Sequence, residues 1–315
     1  LSSKKGTNSA TFSPNFQFFI NTYSSATSAP TYTLNDSKTG AVVKTIVSNE
    51  AVETKLAKYD VTPKEFFVLT TEKGHQLNAW MIKPKNFDAT KKYPVFMFQY
   101  SGPGSQQVAN TWNGTNDYWF MMLAQQGYIV ACVDGRGTGF KGAAFKKCTQ
   151  KELGKYEVED QIDAAKVIGK YNYVDASRIG IFGWSYGGFM SSNCLFQGAD
   201  VFKMAIAVAP VTSWRYYDSI YTERYMQTPQ ENASGYDNNS PINHVSKLKG
   251  NFLLIHGTAD DNVHVQNTMK MVEALVQANK QFDWAIYPDK NHGIYGGKTR
   301  LQLYTKMTNF IKEKL

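Results

Sequence analysis

Gly183-Trp184-Ser185-Tyr186-Gly187 follows directly on the apolar run Ile179-Gly180-Ile181-Phe182 and carries the first chemical signal of this chain. The pattern describes a strand that breaks sharply into a helix at Ser185, with Phe189 to Leu195 continuing the helix. The flanking glycines let so tight a turn form without a Cβ clash and leave the serine hydroxyl exposed at the strand end. A hydroxyl held there is a candidate nucleophile for acyl transfer. It is a poor one until an imidazole takes its proton and a carboxylate fixes the imidazole tautomer.

Two later strands empty into loops that carry the missing groups. Phe252-Leu253-Leu254-Ile255 runs into His256-Gly257-Thr258-Ala259-Asp260-Asp261-Asn262, and the strand Phe282 to Tyr287 runs into Pro288-Asp289-Lys290-Asn291-His292-Gly293. Loops at the carboxyl ends of strands share one edge of an open sheet, and the chain order serine, acid, histidine suits a strand-turn-helix nucleophile. Of the five histidines, His75 lies in a hairpin before the nucleophile and His244 in a polar connection. His256 precedes any acid in that order and His264 sits too near Asp260, which leaves His292. Asp260 comes first after its strand and is preferred, while Asp261 could as easily cap a helix beginning near Val263. The developing oxyanion needs donors. The backbone N–H of Tyr186 supplies one, and the loop Gln99-Tyr100-Ser101-Gly102-Pro103-Gly104 offers the Tyr100 phenol as a second.

These groups require a scaffold, and the chain alternates strand and helix patterns. Strands are expected at 64–71, 77–82, 94–100, 128–134, 178–184, 203–209, 252–256 and 282–287. Helices are expected at 116–126, 157–170, 186–197, 265–279 and 299–314, with an irregular polar stretch at 227–250. This predicts the α/β class with an α/β-hydrolase fold, a mostly parallel sheet covered by helices on both faces, over residues 49–315. Residues 1–48 are rich in Ser, Thr and Asn, with β-type stretches at Phe16–Ile20 and Thr31–Leu34, too little to stand alone unless packed on something. Val211, Trp214, Tyr217 and Tyr221 recur at three, three and four residues, which predicts one face of a helix.

The net charge of +8 would permit a polyanion partner, but the lysines are scattered in pairs such as Lys91-Lys92 and Lys146-Lys147, so no nucleic acid is expected. Cys132, Cys148 and Cys194 lack Cys-x-x-Cys spacing, and no cluster of histidines and acids has metal-ligand spacing. Neither cofactor nor metal is expected. No apolar run approaches the ~18 residues of a membrane span. Asn-x-Ser/Thr sequons start at Asn35, Asn113, Asn232 and Asn238.

Longer motifs carry a family likeness. Gly-Trp-Ser-Tyr-Gly-Gly-Phe at 183–189, Asp-Gly-Arg-Gly at 134–137 and Val-Glu-Asp-Gln-Ile at 158–162 resemble the dipeptidyl peptidase IV branch of the prolyl oligopeptidase superfamily. So do Ala-Pro-Val-Thr-Ser-Trp-Arg-Tyr-Tyr-Asp-Ser at 209–219, Tyr-Thr-Glu-Arg-Tyr-Met at 221–226, His-Gly-Thr-Ala-Asp-Asp-Asn-Val-His at 256–264 and Asn-His-Gly at 291–293. The resemblance implies a triad of Ser185, Asp260 and His292 and an oxyanion hole of Tyr100 and Tyr186. It further implies a proline pocket of Tyr186, Val211, Trp214, Tyr217, Tyr221 and Val263, with Asn262 on the carbonyl of the substrate's first residue and Arg224 also among the substrate-binding residues. The implied reaction is release of N-terminal dipeptides with Pro or Ala in second place. Implied partners are such peptides, an N-terminal β-propeller of which residues 1–48 would be the last-blade strands, and a second copy in a homodimer. The implied setting is extracytoplasmic: periplasmic, secreted, or anchored through a segment preceding Leu1. The rivals are an oligopeptidase, acylaminoacyl peptidase or esterase on the same scaffold, and a catalytically dead binding homologue.

Overall fold

Residues 2–315 are described by a computed structural model, in which the Ser/Thr/Asn-rich opening forms a sheet of its own. Strands β1 (Thr7–Phe12), β2 (Phe18–Ser25), β3 (Ser28–Asp36) and β4 (Val42–Val47) pair antiparallel in chain order. This sheet packs on the loop around Asn110, whose side chain accepts the Ala26 N–H at 2.9 Å and whose carbonyl accepts the Thr7 hydroxyl at 3.0 Å. Phe16, Phe18, Val42, Val43 and Ile46 leave apolar surface exposed on and around it.

The second sheet positions the chemistry. It comprises β5 (Glu65–Thr70), β6 (Gln76–Ile82), β7 (Tyr93–Phe98), β8 (Ile129–Asp134), β9 (Val174–Trp184), β10 (Met204–Val208), β11 (Asn251–Gly257) and β12 (Asp283–Tyr287). Their order is β12-β11-β10-β9-β7-β8-β6-β5, antiparallel at the β8-β6-β5 edge and parallel across the rest. Neighbours alternate between the faces because strand side chains have a period of two. Ala205, Ala207, Phe252 and Leu254 join one core, with helices Tyr156–Gly169, Tyr186–Gln197 and Gln266–Gln277. Ile206, Val208, Leu253 and Ile255 join the other, with helices Thr115–Gln125 and Thr299–Lys314. Burial on both faces explains why these strands read as continuous apolar runs.

Three expectations change. The stretch 227–250 is not irregular throughout: helix Ala233–Asn238 buries Tyr236 in the core, and a 3₁₀ turn at Pro241–Lys247 packs on helix Tyr186–Gln197 and buries Val245. Two short helices, Glu50–Leu56 and Ala143–Lys147, lie outside the predicted set. Val211, Trp214, Tyr217 and Tyr221 do not form a helical face. Trp214 lies in a 3₁₀ turn capped by Ser213, Tyr217 is extended, and a separate helix, Ser219–Met226, starts under an Asp218 cap that accepts the Tyr221 N–H at 2.8 Å. Two capping side chains interrupt what spacing alone read as one turn after another.

Candidate active site

Five of the parallel strands end at one edge, and each delivers a group. Behind β9, Ser185 has φ 62° and ψ −117°, a sparsely populated conformation for a residue with a Cβ. The elbow is held from both sides: the Ser185 N–H donates to the Val208 carbonyl at 2.8 Å, and a Cβ on Gly183 would come within 2.3 Å of the Gly187 carbonyl oxygen. Only a glycine lets strand and helix approach that closely.

Beyond β11 and β12, the acid and histidine meet. His292 Nδ1 lies 2.7 Å from Asp260 Oδ2. The other Asp260 oxygen accepts the N–H groups of Asn262 and Val263 at 3.0 and 2.9 Å. Asp261 is exposed, and the next helix begins at Gln266 rather than near Val263. Of the two carboxylates, Asp260 is the one that meets His292. Burial works against its ionisation, yet hydrogen bonds from His256 and His292 hold its carboxyl below the ordinary value. It stays an anion and fixes the proton of His292 on Nδ1, leaving Nε2 free to accept another. Trp184, next to Ser185, donates its indole N–H to the His292 carbonyl at 2.9 Å and so ties the histidine loop to the elbow.

Ser185, His292, Tyr100 and Asn262 share the wall of one cavity of about 410 Å³. Tyr100 follows β7, and a Cβ on Gly102 would lie 2.6 Å from its ring, so the glycine makes room for the phenol. Burial raises the Tyr100 pKa, which keeps its O–H protonated and able to donate.

An aromatic box lies against the opposite core from the one beneath Trp184. The Trp214 ring centroid is 5.4 Å from that of Tyr186 and 6.0 Å from those of Tyr217 and Tyr221, while Tyr217 and Tyr221 meet edge-on at 5.3 Å. Val211 and Val263 are buried in the same core. The Tyr217 hydroxyl donates to Asn262 at 2.7 Å, which orients the amide. Arg224 stands apart: it is exposed on the Tyr221 helix and makes no ion pair among the described residues.

The family of such sites is settled by comparison, since a family model described as "Prolyl oligopeptidase family" matches residues 115–315. The chain belongs to the prolyl oligopeptidase family. Its α/β-hydrolase fold is the one this membership entails. Two fungal family relatives are named "Probable dipeptidyl-aminopeptidase B". That of Phaeosphaeria nodorum is 44% identical over 276 residues, covering 86% of this chain and 30% of its own length. That of Pyrenophora tritici-repentis is 50% identical over 238 residues, covering 74% and 27%. The crystal structure of Porphyromonas gingivalis dipeptidyl peptidase 4 superposes with a TM-score of 0.97 at 52% identity, covering all of this chain and 44% of that one. The chain thus spans about a third of the curated relatives' length.

Two residues of this prolyl oligopeptidase site escaped the sequence reading. His256 is fully buried, with Nε2 at 3.2 Å from Asp260 Oδ2 and 2.7 Å from the Val263 carbonyl, so it donates from Nε2 and supports the acid from behind. Glu157, also fully buried, accepts the Tyr186 hydroxyl at 2.7 Å and locks that side of the box. The only sequence signals for them are a histidine ending a strand and an acid among apolar positions of a helix.

Proposed function

We propose that this chain carries the catalytic site of a serine exopeptidase that releases N-terminal dipeptides with Pro or Ala in second place. The observation that carries the reading is that His292, paired with Asp260, lines the same cavity as Ser185, beside an aromatic box. Ser185 Oγ attacks the scissile carbonyl carbon as His292 Nε2 takes its proton. The oxyanion that forms accepts the Tyr100 O–H and the Tyr186 N–H. Collapse breaks the C–N bond, His292 returns the proton to the departing amine, and an acyl-serine remains. Water, deprotonated by His292, then frees the dipeptide. A pyrrolidine ring suits the box because it is flat, compact and without an N–H to satisfy.

The four-stranded sheet at Thr7–Val47 supports a second element of the reading, that residues 1–48 belong to a propeller domain that grips the substrate's amino terminus. It is an antiparallel meander with apolar surface left uncovered, and the relatives are longer than this chain. The test compares chromogenic Gly-Pro, N-blocked Gly-Pro and ester substrates on the full-length protein. Strong preference for the free-amine dipeptide is expected. Faster cleavage of the blocked or ester substrate would assign one of the other hydrolase activities instead.

A further inference from the structure

The cavity beside Ser185 is not the aromatic box. Its wall includes Phe98, Trp184 and Tyr304, which pack on the opposite face of the sheet from Trp214, Tyr217 and Tyr221. It is also the side on which His292 stands. His292 must protonate the departing amine, so the peptide beyond the scissile bond runs through this cavity.

One cation looks into it. Arg300 extends from the first turn of the helix Thr299–Lys314 and is enclosed by rings: its guanidinium carbon lies 4.1 Å from the centroid of Tyr295, 5.0 Å from Trp184 and 5.6 Å from Tyr304. Nη1 donates to the Tyr304 hydroxyl at 3.3 Å. Arg136, Arg178 and Arg215 each pair with an aspartate, whereas Arg300 pairs with no carboxylate among the described residues, and no Asp or Glu lines the cavity. Nor does the position serve the helix, because a cation in the first turn opposes the helix dipole. Stacking fixes the guanidinium while most of its five donors remain unused.

We propose that Arg300 is a specificity residue on the leaving-group side, binding a carboxylate of the departing peptide. That carboxylate is either the C-terminus of a short substrate or an acidic side chain soon after the scissile bond. The inference rests on the serine exopeptidase reading and extends it from the acyl side to the leaving side.

The experiment measures kcat/KM of the full-length protein on two substrate pairs. Gly-Pro-Ala against Gly-Pro-Ala-amide isolates the C-terminal carboxylate. Gly-Pro-Glu-amide against Gly-Pro-Gln-amide isolates an acidic side chain. At least one acid member should be favoured by roughly tenfold, the scale of one charge-assisted hydrogen bond. The ratio should fall as salt is raised. R300Q should bring the ratio close to one, and R300K should keep part of it, since the charge remains but the planar fork is lost. Equal rates within both pairs, or a preference that R300Q leaves intact, would overturn the proposal while the peptidase reading stands. A protein that cleaves none of the four overturns the peptidase reading, and the proposal with it.

Discussion

The two aromatic walls beside Ser185 use similar residues to different ends. On the acyl side the rings of Tyr186, Trp214, Tyr217 and Tyr221 pack on one another, and the hydroxyls of Tyr186 and Tyr217 are tied to Glu157 and Asn262. Burial pushes the Tyr217 phenol up to about 12, so this ring stays neutral at any ordinary pH. On the leaving side Trp184, Tyr295 and Tyr304 surround a guanidinium with donors to spare. A fixed, uncharged box discriminates by shape. A stacked cation discriminates by charge and tolerates variation in shape.

The comparison has content only if both walls serve one nucleophile. Ser185→Ala should lower turnover of every substrate by at least about a thousandfold with the fold intact, since removing a triad member typically costs several orders of magnitude. Retention of a tenth of wild-type activity would separate the walls from the chemistry. Asp260→Asn should be nearly as damaging and Asp261→Asn within a few-fold of wild type; the reverse order would contradict the hydrogen bonds seen here.

Tyr100 touches both regions, lining the cavity while its ring centroid lies 6.0 Å from that of Tyr186. Tyr100→Phe keeps that packing and removes only the O–H. A drop of roughly a hundredfold in kcat with little change in KM is expected, because the donor meets charge that exists only near the transition state. A near-normal kcat would leave Tyr100 as a packing residue. Tyr221→Ala should be milder and one-sided. It should cost roughly tenfold or more in kcat/KM for proline substrates while leaving the ratio between leaving groups unchanged. If both selectivities fell together, the two walls would not be independent.

How much of this was legible depends on the range of the signal. Ser185, Asp260 and His292 announce themselves locally, each as a polar residue just past an apolar strand, and the order of strands then fixes one shared edge. The box residues were legible as a set but not as a structure. Ser213 and Asp218 cap separate turns, so helical spacing described the wrong backbone, while the long motifs pointed to residues whose rings do gather in one place. His256 and Arg300 were not legible. A histidine at a strand end reads as ordinary core, and Arg300 matters through rings as far away in sequence as Trp184. Glu157 shows the same limit, since its partner Tyr186 lies on another helix.

Glu157 gives the smallest effect and the one most specific to the acyl-side wall. Burial pushes its carboxyl from an ordinary 4.5 up to about 7, although hydrogen bonds from Tyr186 and Gly154 favour the ionised form. Unfolding returns the group to its ordinary value, so between those two pH values the unfolded chain releases a proton that the folded chain keeps. Stability from this group is therefore fully present below about pH 4.5, falls as pH rises, and is lost above about 7. Glu157→Gln cannot ionise but still offers an oxygen to the Tyr186 hydroxyl. The variant should match wild type near pH 4.5 and exceed it above pH 7 by at most roughly 3 kcal/mol. Thermal melts of both proteins across this range test the difference, in which other titrating groups such as Asp134 cancel. Activity should change only a few-fold, because the box keeps its shape. Parallel melting profiles would mean that Glu157 is ionised in the folded protein. The acyl-side wall would then rest on a buried charge, and its contrast with the cationic wall across Ser185 would have to be redrawn.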